Sequence, residues 1–245
     1  MKISSKPLAI LITLLAILII PRIVGQLATV SVGWVGNIDP DGVYLWISVH
    51  HVWQLILTIG LMLIFNRDLK AWGFNLNNRR TSLRLLRLFV LYATGYFVIQ
   101  DLVLYFVASP VWIDFPLTLQ NALGYLGFQL LLSGTCEEPL FRGFVMITLY
   151  PAFAGNLKVK SIEISHAGLI AAIFFTLAHI GFSIWSFKLT HIHPPQLVLS
   201  FLMGIFYATM FDRTSSLLAP ILAHNYINFL LVGLNMLFVL LGQQG

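Results

Sequence analysis

Hydrophobic residues run along this chain in long blocks, near residues 7–30, 43–65, 84–108, 118–151, 166–186, 195–211 and 216–242. At about 1.5 Å per helical residue, each is long enough to approach a hydrocarbon core of roughly 30 Å. Strands of a membrane barrel are about 10 residues long and alternate in polarity, which these blocks do not. The pattern predicts an all-α, polytopic transmembrane helical bundle of about seven spans (six to eight). No internal repeat, low-complexity tract or linker divides it, so one transmembrane domain over residues 1–245 is expected. Residues 118–151 are too many for one upright helix; this one is either long and tilted or broken near Ser133-Gly134-Thr135.

The polar positions between blocks give a direction. Lys2 and Lys6 ahead of Leu8–Ile20 resemble the start of a signal peptide. Pro21-Arg22 follows, however, and the apolar pattern resumes without a small-x-small cleavage site, so a retained first helix with Arg22 snorkelling outward is expected. With alternating spans, Lys2, Lys6, Arg67, Lys70, Arg79, Arg80, Arg84, Arg87, Lys158, Lys160 and Arg213 fall on one side. The opposite loops carry Asp39, Asp41 and Asp114, with only Arg22 and Lys188 among the basic residues. The positive-inside rule then places the N-terminus in the cytoplasm; a multi-pass integral protein of the cytoplasmic (plasma) membrane is expected.

Composition agrees with this reading. Hydrophobic residues make up 58% of the 245 and charged residues 9%, whereas a soluble domain carries about 25% charge. Disorder is excluded by the same figures. The net charge of +5 reflects basic loops, not a nucleic-acid surface. Cys136 is the single cysteine, so no internal disulfide can form.

Ionisable residues inside apolar helices are costly and are candidates for function. The fourth block holds Glu137, Glu138 and Arg142; the fifth holds His179; the seventh holds His224 and Asn228. Glu138 and Arg142 are four apart and can pair on one helix face, as His224 and Asn228 can project together. Glu137 is turned about 100° from Glu138 and can face a different neighbour. Counted from the predicted cytoplasmic ends, Glu137 lies about 20 Å up and Asn228 about 18 Å, with His179 at a similar height. Glu137 beside His179 can take a proton from water, and His224 with Asn228 can donate hydrogen bonds to an oxyanion. Arg142 would hold Glu138. That combination suits water attack on a peptide carbonyl inside a membrane.

Glu137-Glu138 with Arg142, then Phe175 with His179, then His224 with Asn228, in this order on hydrophobic helices, resembles the CAAX protease and bacteriocin-processing family. This is also called the Abi family and includes the type II CAAX prenyl endopeptidases. Phe141-Arg142-Gly143 and the stretch from Ser216 to His224 add to the likeness, which covers roughly residues 118–230. The resemblance implies an intramembrane glutamic endopeptidase acting on hydrophobic or lipid-tethered peptides, prenylated ones among the options, with membrane lipids as its surroundings. By the family's pattern Glu137 and His179 would activate water, His224 and Asn228 would form the oxyanion hole, and Glu138 and Arg142 would support them. It implies no cofactor and no metal.

Two rivals stay open. Glu and His are also zinc ligands, although no His-Glu-x-x-His signature is present. A bundle with buried Glu, Arg and His also suits a non-catalytic membrane partner, an immunity protein or a transporter, to which Asp101 and His50-His51 would add polar groups. Cys136 reads as a packing residue, and Ser200, Gly204 and Ala208 as a small-residue stripe for close helix approach.

Overall fold

In the computed structural model, residues 3–107, 113–159, 162–183 and 188–242 are described. Lys2, Lys160, Ala108 and residues 184–186, used above for direction or block ends, lie outside them. The elements are α1 Lys6–Val35, α2 Leu45–Phe65, α3 Arg79–Val107, α4 Leu119–Leu131, α5 Ser133–Glu138, α6 Ile147–Leu149, α7 His166–Leu177, α8 Pro194–Thr214 and α9 Leu218–Gly242. A π-helical segment, Pro139–Met146, joins α5 to α6. Two short antiparallel ribbons, β1 Asn156–Val159 with β2 Ile162–Ser165 and β3 Gly181–Ser183 with β4 Lys188–His191, occupy connections.

Among the described residues, five helices, α1, α2, α3, α8 and α9, are long and apolar enough to cross a bilayer. The long fourth block forms a sixth helical run, interrupted at Leu132 and widened over the π segment. The fifth block departs from the expectation. Its helix α7 stops at Leu177 after 12 residues, about 18 Å of rise. His179 therefore lies in the turn beyond the helix, and the chain leaves as strand β3. Hydrophobicity continues past Leu177, but the backbone pairing changes from helix to ribbon.

The Arg22 guanidinium donates to the carbonyl of Leu18, one turn earlier on α1. Apolar side chains pack in two clusters. One gathers α1, the π segment and α7 around Met62 and Trp72; the other gathers α3, α8 and α9 around Phe89, Phe97, Tyr207 and Ile227. The outer faces stay apolar, with Leu91, Tyr92, Ile99 and Val103 of α3 all exposed, which suits a lipid-facing surface. α7 and α8 approach closely at Gly204, where an added Cβ would lie 3.2 Å from both Cα and Cβ of Ala172. Asp212 of α8 ties three segments, accepting from Tyr150 Oη at 2.7 Å, Ser165 N at 2.9 Å and Ser165 Oγ at 2.8 Å.

The α1–α2 connection is organised by one carboxylate. Asp39 accepts from the backbone N–H of Val43, Tyr44 and Leu45 at 3.0, 2.8 and 2.7 Å, covering donors that the start of α2 would otherwise leave open. Burial opposes ionisation, but these bonds hold the Asp39 carboxyl below its ordinary 3.8. Asp39→Ala is expected to lower stability by about 1 kcal/mol. Because the folded-state value is depressed, the contribution is present above the ordinary value and lost as pH falls through the folded one. Thermal unfolding of detergent-purified protein at neutral and strongly acidic pH checks this: the gap between wild type and Asp39→Ala should narrow in acid.

Candidate active site

The site begins where the fourth helix is interrupted. A new helix start leaves N–H groups without partners from the preceding turn. Here Asn225 of α9 supplies the acceptor: its Oδ1 receives Gly134 N at 2.6 Å and Thr135 N at 3.3 Å, while its Nδ2 donates to Thr135 Oγ1 at 2.9 Å. The two helices can come this close because residue 134 is glycine. A Cβ there would fall 2.6 Å from His224 Cβ and 2.9 Å from the carbonyl of Ile221. After Pro139, which has no N–H to give a regular helix, the backbone continues as a π segment, a geometry frequent at functional sites.

Glu138 and Arg142 are both fully buried, and Arg142 Nη1 donates to Glu138 Oε1 at 3.1 Å. The same carboxylate oxygen lies 2.8 Å from His224 Nδ1. Arg142 Nη2 donates to the carbonyl of Gly204 at 3.0 Å. Its guanidinium carbon sits over the rings of Phe175 at 4.8 Å, Tyr207 at 5.3 Å and Phe141 at 5.9 Å. Tyr207 stacks on His224, with ring centroids 5.0 Å apart, and Phe175 meets it edge-on. Thus α5, the π segment, α8 and α9 share one ion cluster.

Glu137 faces elsewhere. Together with His179, His224 and Asn228 it lines a cavity of about 300 Å³, whose walls also include Phe175, Ser200 and Tyr207. Its side chain keeps 21% of its surface, against none for Glu138. His224 Nε2 stands 3.9 Å from Glu137 Oε2. His179 Nδ1 is 2.8 Å from the carbonyl of Phe175, so that nitrogen carries the proton and the neutral ring keeps its lone pair on Nε2. Asn228 Nδ2 donates to Ser133 Oγ at 3.3 Å. The structure therefore brings four of the six candidates to one cavity and sets Glu138 and Arg142 behind them. His224 and Asn228, four apart, hold different partners.

Two neighbours of the site carry more than sequence reasoning assigned them. His51 of α2 places Nε2 3.1 Å from Glu137 Oε1; the available signal was a buried polar stripe of His51, Gln54 and Thr58 on an apolar helix. Asn225 had no signal, since its role depends on the helix break. Among the described residues, no three His, Cys, Asp or Glu side chains are arranged to hold a metal ion.

Residues 119–230 match the family model described as type II CAAX prenyl endopeptidase, Rce1-like. The match supports the CAAX protease family assignment made from the motifs, and with five long apolar helices it supports an integral membrane protein. No curated protein and no solved structure matches the chain.

Asn225→Ala removes the acceptor at the helix break and is expected to cost about 1–3 kcal/mol. Gly134→Ala forces α5 and α9 apart and should cost a similar amount, typically about 1–3 kcal/mol. Asn225→Asp, which keeps an acceptor, should lose less. Denaturation curves in one detergent compare the three; equal stability of Asn225→Ala and wild type would contradict the capping role.

Proposed function

We propose, on the premise that residues 119–230 are a CAAX-protease-family segment, that this protein is an intramembrane endopeptidase in which Glu137 activates water. The carrying observation is the common cavity: Glu137, His179, His224 and Asn228 come from three separate segments and line the same space. Substrates of the matching chemistry are hydrophobic or lipid-tethered peptides, prenylated ones included, with the scissile carbonyl in that cavity.

In this reading Glu137, assisted by His179, takes a proton from water as the water oxygen bonds to the carbonyl carbon. The carbonyl oxygen becomes an oxyanion, and Asn228 Nδ2 and the doubly protonated form of His224 donate to it. Collapse breaks the C–N bond, and the proton held by Glu137 passes to the leaving nitrogen. A carboxyl product and an amine product result, and the enzyme returns to its starting protonation. Glu138 and Arg142 do not touch the substrate; they hold His224 and the π segment. The basic-loop pattern supports a cytoplasmic N-terminus as part of the same proposal.

Glu137→Gln, nearly isosteric, is expected to lower cleavage at least about 10²-fold. The assay uses purified protein with quenched hydrophobic and prenylated peptides, with and without chelator. Loss in Glu137→Gln with activity kept in chelator supports the reading. Cleavage lost in chelator and restored by zinc would replace it with a metal hydrolase. A folded Glu137→Gln that cleaves normally would contradict the general-base role.

A further inference from the structure

His51 stands on α2, outside the family-matched segment, and its side chain is 7% exposed. Its Nδ1 lies 2.8 Å from the carbonyl of Ile47, one turn earlier on the same helix. A carbonyl only accepts, so Nδ1 carries a proton. Its Nε2 lies 3.1 Å from Glu137 Oε1, and a carboxylate oxygen also only accepts. A neutral ring protonated at Nδ1 would oppose one lone pair with another across this contact. One further proton is therefore required between the two groups; a carboxyl already protonated on Oε1 could not take another from water, so with Glu137 as the base this proton is held on Nε2 and donated to Oε1.

The surroundings keep the pair in place. Phe128 meets the His51 ring edge-on at 4.7 Å between centroids, and His50 lies beside it at 5.4 Å. On the other side Glu137 faces His224 at 3.9 Å and shares its cavity with His179, while Glu138 and Arg142 pair with each other behind. Removing one partner of so buried a pair would strand the other. Oε1 is held by His51, and Oε2, beside the cavity-lining His224, is left outside that bond.

We propose that His51 is a positioning residue for Glu137: it shares one proton with Oε1, fixes the rotation of the carboxylate and leaves Oε2 as the oxygen that takes the proton from water. The inference rests on the reading of Glu137 as the base. During hydrolysis the shared proton stays between His51 and Oε1. The water proton goes to Oε2 as the new C–O bond forms and from there to the amine nitrogen as the C–N bond breaks.

Nitrogen NMR of histidine-labelled protein tests the shared proton without any need for turnover. In wild type the Nε2 signal of His51 should show protonation; in Glu137→Gln it should move to that of the neutral ring with its proton on Nδ1. Assignment comes from the signal lost in His51→Gln. A His51 signal neutral in wild type, or unchanged by Glu137→Gln, would overturn the proposal even if the protease reading stands. Kinetics provide the second readout. His51→Phe, which fills the space without a donor, should lower kcat about 10²-fold with KM nearly unchanged. His51→Gln, which restores a donor to Oε1, should recover at least about tenfold of that loss, a rescue expected if orientation of the base is what was lost. Wild-type kcat in His51→Phe would overturn the proposal. Absence of cleavage by the wild type would count against the protease reading and leave the NMR result to decide the pairing.

Discussion

A carboxylate with no access to solvent must be paired, and the pairing of Glu138 organises the centre of this bundle. Arg142 and His224 both reach its Oε1, at 3.1 and 2.8 Å. Arg142 continues to the backbone of Gly204, and Phe175 and Tyr207 flank both the guanidinium and the imidazole. Four segments are thereby held to one charge cluster. Its neighbour in sequence, Glu137, is turned about 100° around the helix and so reaches the cavity, where it meets the other nitrogen of His224 at 3.9 Å. Burying one carboxylate behind the wall leaves the next in the cavity.

The backbone around this pair is irregular, and each irregularity has a partner. The N–H groups opened at Leu132 are taken up by Asn225, and Gly134 gives α9 the room to deliver that side chain. Irregular backbone at membrane depth is tolerated where protein rather than lipid surrounds it. α7 ends early, so His179 is carried by a turn rather than a helix and is fixed through its own bond to the carbonyl of Phe175. A reacting group needs a defined direction, and here backbone carbonyls and buried carboxylates set the ring orientations.

Much of this was legible in the sequence where the helical period governs it. The long apolar blocks correspond to helices, and the four-residue spacing of Glu138 and Arg142 is the spacing of the ion pair. The stripe of Ser200, Gly204 and Ala208 includes Gly204, where α7 and α8 approach closely. The block at 166–186 misled because hydrophobicity alone does not separate a helix from an apolar turn and ribbon. The spacing of His224 and Asn228 suggested a joint projection, and both do line one cavity, although each also holds a partner of its own, Glu138 for one and Ser133 for the other. The role of Asn225 and the pairing of His51 were not legible for a related reason. One acts only at a break in another helix, and the other only through a contact between residues 86 apart in the chain.

The central claim is that Glu137 acts on water and not as a nucleophile on the substrate. Many turnovers in water enriched in heavy oxygen, followed by mass analysis of the peptide products and of the Glu137-containing fragment, tests it most directly. Water activation predicts label in the new carboxyl group of the product and none in the Glu137 side chain. Label accumulating in Glu137 would mean that its carboxylate had bonded to the substrate acyl carbon, and would contradict the account.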